Sequence, residues 1–279
     1  MAIRNLHGHY VRDVSSWRKI AAVAWPPPDN GLIYAGLEID FTNAQRHIQR
    51  QNELCDETCS VTHLVVQAIA KTLRKHPECN GLIRRNKIYE RDTVDISVLV
   101  AIGDEAMHEQ KLDLSNTIVR NADQKSLPEI AKAVRSGARS VRKHEDVLLE
   151  HTKKLFNLLP PPILKRALRV TAFLEYEWNL DLERFGVPHD PFGSLLVTSL
   201  GPLGLRDAYA PIPPFAGVPA VIAVGEVEER PVAIDGEILI RPMLPLRATI
   251  DHRLIDGFQG SRMAKTLTRF LENPELMAD

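Results

Sequence analysis

Leu244-Pro245-Leu246-Arg247-Ala248-Thr249-Ile250, running straight into Asp251-His252-Arg253-Leu254-Ile255-Asp256-Gly257, sets the architecture expected of this chain. Leu244, Leu246, Ala248 and Ile250 alternate with other side chains, the pattern of a strand with one buried face. From Phe258 to Glu272, Met263, Ala264, Leu267, Phe270 and Leu271 mark one side of a helix. The stretch between is therefore a strand-to-helix connection, where side chains reach solvent while the scaffold holds them. A histidine in such a place can act as a general base near neutral pH. Asp256, four positions on, can orient a neighbour or anchor the turn through an arginine. Taken alone, an acid-histidine-arginine turn reads more simply as surface salt-bridging.

Outward from that stretch, strands and helices alternate. Asp235-Gly236 between Val232-Ala233-Ile234 and Ile238-Leu239-Ile240 predicts a hairpin, because a two-residue primed turn needs positive φ. Leu195 to Thr198, Ala220 to Val227, Leu32 to Phe41 and Val94 to Ile102 read as further strands. Asn43 to Glu53 predicts a polar helix. Ser60 is placed to cap a helix from Val61 to His76, stopped by Pro77. Ser126-Leu127-Pro128-Glu129 is a capping box opening another helix through Val134. A short helix is expected over Trp17 to Ala24. Nothing reads as a linker, so one α/β domain over residues 1–279 is expected.

Residues 139–191 are less regular. Ile163 to Trp178 predicts a helix with Lys165, Arg166 and Arg169 on one face. Two readings stay open: a basic amphipathic helix lying on a membrane surface, and a packed helical lid with a solvated polar face. The lid is favoured, since short amphipathic helices are usually core-facing.

Composition narrows the function classes. Hydrophobic residues are 44% and charged residues 25% of 279, values that exclude a disordered chain. Lys plus Arg number 35 against 36 Asp plus Glu, so no basic excess points to nucleic acid. No apolar run is long enough for a membrane span, and the opening MAIRNLHGHYVRD lacks a secretory pattern. A cytoplasmic protein is expected. Three cysteines are too few for a disulfide framework. Cys55, Cys59 and His63 fall four apart, but that is not a usual zinc spacing and no fourth ligand stands out, so no metal is expected. Gly201-Pro202-Leu203-Gly204 lacks the lysine of a phosphate loop, and there is no Gly-x-Ser-x-Gly elbow for a serine hydrolase.

Asp251-His252-Arg253-Leu254-Ile255-Asp256-Gly257 resembles the DHRxxDG signature of the dihydrolipoamide acyltransferases, the catalytic cores of 2-oxo acid dehydrogenase complexes, which share the chloramphenicol acetyltransferase-like fold. The similarity recurs in order along the chain: Val14 to Ala21, Val61 to Cys79, Val94 to Ala101, Ile118 to Leu127, Val197 to Gly201 and Leu271 to Leu276. The resemblance implies a two-layer α/β sandwich with a mixed sheet flanked by helices. It implies acyl transfer between coenzyme A and a dihydrolipoyl or other thiol, with His252 as general base. The family's oxyanion-donating serine falls at Thr198, which keeps the hydroxyl. Asp256 matches the acid that ties the loop to an arginine, for which Arg18 is the candidate.

The resemblance also implies a homotrimer with His252 and Thr198 supplied by different subunits. Relative to the family, the chain opens almost directly at the catalytic core, so a free-standing enzyme or a separate lipoyl-domain partner is expected. A family-atypical helical insertion is expected at about 140–191, favouring a closed trimer over a cubic core. Two alternatives remain: acyl transfer to a small amine or alcohol, and a non-catalytic trimeric scaffold.

Overall fold

The computed structural model describes residues 8–10, 31–102, 113–142, 160–185 and 187–277. Ten strands fall in chain order: β1 Gly8–Tyr10, β2 Leu32–Asp40, β3 Gly81–Arg84, β4 Lys87–Arg91, β5 Ile96–Ile102, β6 Asp113–Val119, β7 Leu195–Ser199, β8 Ala220–Val224, β9 Glu228–Ile234 and β10 Glu237–Asp251. The longer helices among these residues are α1 Thr42–Leu54, α2 Val61–Lys75, α3 Leu127–Arg142, α4 Pro161–Ala172 and α5 Gly257–Glu272. Trp17 to Ala24, expected to be helical, and Arg18 within it lie outside the described residues.

The main sheet runs β2-β10-β8-β7-β5-β6, with β9 paired to β10; a smaller sheet orders β1-β4-β3. The β5–β7 and β7–β8 pairs are parallel and the rest antiparallel, so the sheet is mixed. One face of it carries the core. Ile39, Leu195, Val197, Ile222, Leu244 and Ile250 meet Leu64, Val65, Ile69 and Leu73 of α2, Ile130 of α3 and Phe270 and Leu271 of α5. The opposite face is covered in part by a separate cluster of Leu196, Ile212, Ala216, Val218 and Val221.

Local chemistry explains the boundaries. The Ser60 backbone N–H donates to His63 Nδ1 at 3.1 Å at the start of α2, and Pro77 follows its end. Glu129 accepts from the Ser126 backbone N–H at 2.8 Å and hydroxyl at 2.6 Å, the expected capping box. The helix it opens runs on to Arg142, beyond the predicted end at Val134. Asp235 and Gly236 turn the β9–β10 hairpin with φ of 51° and 86°.

One correction concerns β10. The sequence pattern predicts Ile238-Leu239-Ile240 and Leu244 to Ile250 as separate strands. They form one strand of 15 residues. The Pro242 carbonyl accepts the Phe41 N–H at 2.8 Å and the Pro245 carbonyl accepts the Gly225 N–H at 3.0 Å. Each proline thus supplies the acceptor the sheet uses there, and its missing donor costs nothing.

Between α3 and β7, α4 continues into a wider π-type turn over Phe173–Glu177. Ala172 and Tyr176 pack against Leu82 and Tyr89 of the small sheet. The expected packed lid is only half of what is found, since Ile163, Val170, Phe173 and Trp178 are exposed.

Candidate active site

The connection after β10 is held at both ends. Asp251 N–H donates to the Pro219 carbonyl at 2.8 Å, and His252 N–H to the Gly31 carbonyl at 2.6 Å. Arg253 folds back on Asp251: its Nε lies 2.9 and 3.1 Å from the two carboxylate oxygens and its Nη2 2.5 Å from Oδ2. Both residues are buried, so this is an internal buried pair rather than surface salt-bridging. Leu254 and Ile255 are each 1% exposed and anchor the loop in the core.

That leaves His252, half-buried, between two anchors. Its Nδ1 lies 3.1 Å from the Ile255 carbonyl oxygen. A carbonyl oxygen only accepts, so the bond requires the proton on Nδ1 and makes Nε2 the basic nitrogen of the neutral ring.

Asp256 sits at the N-terminus of α5. Its Oδ1 accepts the backbone N–H groups of Phe258 at 2.9 Å and Gln259 at 3.0 Å. Gln259 Oε1 accepts the Asp256 N–H at 3.0 Å in return, closing a capping box. That N–H belongs to the same rigid peptide unit as the Ile255 carbonyl that receives His252. Gln259 therefore orients the group that orients the imidazole, a link that sequence reading missed. A glutamine at the third helical position was its only trace in the sequence.

Thr198 lies in β7, on the sheet face that carries Leu196 and away from the main core. Its register partners are Leu99 in β5 and Ala223 in β8, and Ala223 in turn faces Arg247 in β10. From Arg247 to Asp251 is four residues, about 13 Å along the strand, and β7 lies two strand spacings from β10, about 10 Å. Within one chain the Thr198 hydroxyl and the His252 loop thus sit roughly 16 Å apart, towards opposite ends of the sheet. Groups that serve one carbonyl must each come within about 3 Å of it. A single chain does not bring these two together.

Of the three residues spaced four apart, Cys59 and His63 make local contacts, the Cys59 thiol donating to the Glu57 carbonyl at 3.7 Å. His63 accepts the Ser60 N–H, and burial holds its pKa down at about 4. Burial pushes the Cys59 thiol up, against the thiolate a metal needs. Among the described residues no three His, Cys, Asp or Glu side chains gather as a metal site.

A sequence model of the 2-oxoacid dehydrogenases acyltransferase catalytic domain matches residues 32–154 and 192–278. The chain belongs to this family. Among curated relatives of this acyltransferase family member, the succinyltransferase component of the Haemophilus influenzae 2-oxoglutarate dehydrogenase complex is 26% identical over 211 residues, covering 75% of this chain and 39% of the relative. An acetyltransferase component of the mitochondrial pyruvate dehydrogenase complex of Arabidopsis thaliana is 29% identical over 222 residues, covering 78% and 32%. The chain thus spans well under half the length of these relatives.

Among solved structures, Azotobacter vinelandii dihydrolipoamide acetyltransferase superposes with a TM-score of 0.65 at 18% identity, covering 96% of this chain and 93% of that one. A chloramphenicol acetyltransferase gives 0.51 at 14%, covering 95% and 99%. The fold is the expected α/β sandwich of that class, a mixed sheet with helices. Among the described residues no helix is long and apolar enough to cross a membrane.

Proposed function

We propose that this protein is a coenzyme A-dependent acyltransferase whose base is His252. The observation that carries the reading is the bond from His252 Nδ1–H to the Ile255 carbonyl, which fixes Nε2 as the acceptor of a proton. Nε2 takes the proton of an attacking thiol, and the thiolate adds to the carbonyl carbon of a thioester. The oxyanion so formed accepts a hydrogen bond from the Thr198 hydroxyl of a neighbouring subunit, a contribution of about 3–4 kcal/mol to the barrier. Collapse of the adduct expels the second thiolate, which recovers the proton from His252. No net proton is lost.

The Azotobacter vinelandii enzyme supports the assignment. A serine, a histidine and an asparagine four residues after it were investigated there for their role in the catalytic mechanism. Here Asp256 stands four residues after His252. Its Oδ1 caps α5, and Arg18 is the arginine we assign to tie the loop. Because Thr198 and His252 lie far apart within one chain, the site is assembled between copies, and we assign a homotrimer. We take residues 1–279 as one catalytic domain with an insertion at about 140–191. The thiol partner is a dihydrolipoyl group, and the reaction takes place in the cytoplasm.

Acyl-CoAs of varied chain length, incubated with dihydrolipoamide and followed by chromatography, test the reading. Transfer between thiols converts acyl-CoA to CoA while total free thiol stays constant, since one thiol is consumed for each released. A rise in free thiol with an alcohol or amine acceptor would identify the chloramphenicol acetyltransferase-like alternative instead. No conversion with any acceptor would leave the scaffold reading.

A further inference from the structure

The family model leaves residues 155–191 unmatched, and the described part of that segment has two apolar sides. On one, Ala172 and Tyr176 pack on the small sheet. On the other, Ile163, Arg166, Val170 and Phe173 follow at spacings of three and four, so they share one stripe of α4 and its extension. Ile163, Val170 and Phe173 are exposed to 53%, 50% and 52%. Trp178, 54% exposed, stands beside Phe173 with ring centroids 6.4 Å apart. The Arg85 guanidinium lies 5.8 Å over the indole. Phe185 follows on the next turn and is 81% exposed.

Charge accompanies this ridge. Arg166, Arg169 and Arg184 are exposed, and neither Arg166 nor Arg169 has an ion-pair partner among the described residues. Of the nearby acids, Glu175 is buried, Glu177 accepts the Arg85 backbone N–H at 2.6 Å, Asp181 accepts the Glu183 N–H at 2.9 Å, and Glu183 is exposed. Aliphatic and aromatic side chains flanked by arginines match the boundary between headgroups and acyl chains, where rings are buried and guanidinium groups reach phosphate.

We propose that α4 and the Phe173–Trp178 turn dock this protein on an anionic phospholipid surface. Phe173 and Trp178 enter the headgroup layer while Arg166 and Arg169 contact lipid phosphates. Each basic side chain near an anionic leaflet strengthens binding by about fivefold, and salt screens that share. No residue of the ridge belongs to the candidate active site, so this docking and the acyl transfer stand or fall separately.

Cosedimentation of the full chain tests it, with vesicles of phosphatidylcholine alone and of phosphatidylcholine mixed equally with phosphatidylglycerol. Binding is expected to the mixed vesicles only, and to be lost near ~0.5 M NaCl. Arg166→Gln with Arg169→Gln should weaken it by about 25-fold. Phe173→Ser with Trp178→Ser should abolish it, with oligomer mass and acyltransferase activity unchanged. Absence of binding to the mixed vesicles overturns the proposal, as does full binding by the double arginine variant. A drop in oligomer mass in the aromatic variant without lipid also overturns it, because the ridge would then face a second copy of the chain.

Discussion

A chain with His252→Ala and a chain with Thr198→Val should each be nearly inactive, yet restore one another when mixed. The first loses proton transfer, typically ~100- to 10,000-fold in rate. The second keeps its shape but loses a donor worth ~100- to 1,000-fold. Each site of a closed trimer would take His252 from one subunit and Thr198 from the next, since the roughly 16 Å between them within a chain excludes a shared carbonyl. In an equal, randomly reassembled mixture, half the sites receive an intact histidine. Half of those face an intact threonine, so about a quarter of all sites are whole. Activity should therefore climb from at most ~1% to about 25% of the unmutated enzyme. The assay is turnover of acyl-CoA with dihydrolipoamide after mild dissociation and reassembly, with unmixed parents treated identically. Recovery no greater than the mean of the parents would refute the shared site.

Gln259→Ala removes the acceptor of the Asp256 N–H and should lower kcat by about three- to tenfold with KM unchanged, at a stability cost of ~1 kcal/mol; Gln259→Glu, which keeps the acceptor, should restore both, and a fall in melting temperature at constant kcat would separate the cap from catalysis. His63 should make the protein acid-sensitive: its ordinary pKa of 6.5 is lowered to about 4 by burial, so between these values the unfolded chain takes up a proton that the folded one refuses. Stability is then fully present above pH 6.5 and falls as pH drops towards 4, and thermal melts of His63→Gln should show a shallower loss over that window; equal slopes would remove the assignment. At Gly217, φ is +61° and an added Cβ would meet the Tyr176 ring at 2.7 Å, so Gly217→Ala should cost at least ~2 kcal/mol by denaturant unfolding. Adding Tyr176→Ala should return the part due to the clash and leave the part due to φ.

How far the sequence discloses this molecule depends on whether a feature is local. Asp235-Gly236, Ser126 with Glu129, and the stripe of α2 could be read because each signal and its consequence lie within a few residues. The continuity of β10 across Pro242 is not a local signal: whether a proline fits a strand depends on which neighbouring donor needs its carbonyl, and Phe41 is distant in sequence. The pair of Arg91 Nη1 with Asp190, at 2.5 Å with both side chains buried, joins residues 99 positions apart and leaves no local trace. In α4 the periodicity was right, but a helix with apolar residues on two sides does not say which side is packed. His252 stood out through its motif alone. Its tautomer did not, since the partner is a main-chain carbonyl that any residue at position 255 would provide.

The spacing of the loop after β10 has a physical reason at nearly every position. Asp251 ends the strand and needs a cation once buried; Arg253, two residues on, is near enough to fold back and far enough to leave His252 between them pointing elsewhere. A buried pair holds poorly if either ion is lost, so this clasp is rigid only when complete. Leu254 and Ile255 then fix the chain in the core, and their N–H groups return to the Asp251 carbonyl at 3.0 and 3.1 Å, tightening the turn. That turn brings the Ile255 carbonyl under the imidazole three residues after His252, and Asp256 starts the helix that holds the peptide in place. Gly257 is the exception: nothing lies within 4 Å of a Cβ built there, so packing gives no reason for it. The histidine is thus held through backbone on both sides, and its basic nitrogen is chosen by a carbonyl whose own orientation is set by a helix cap.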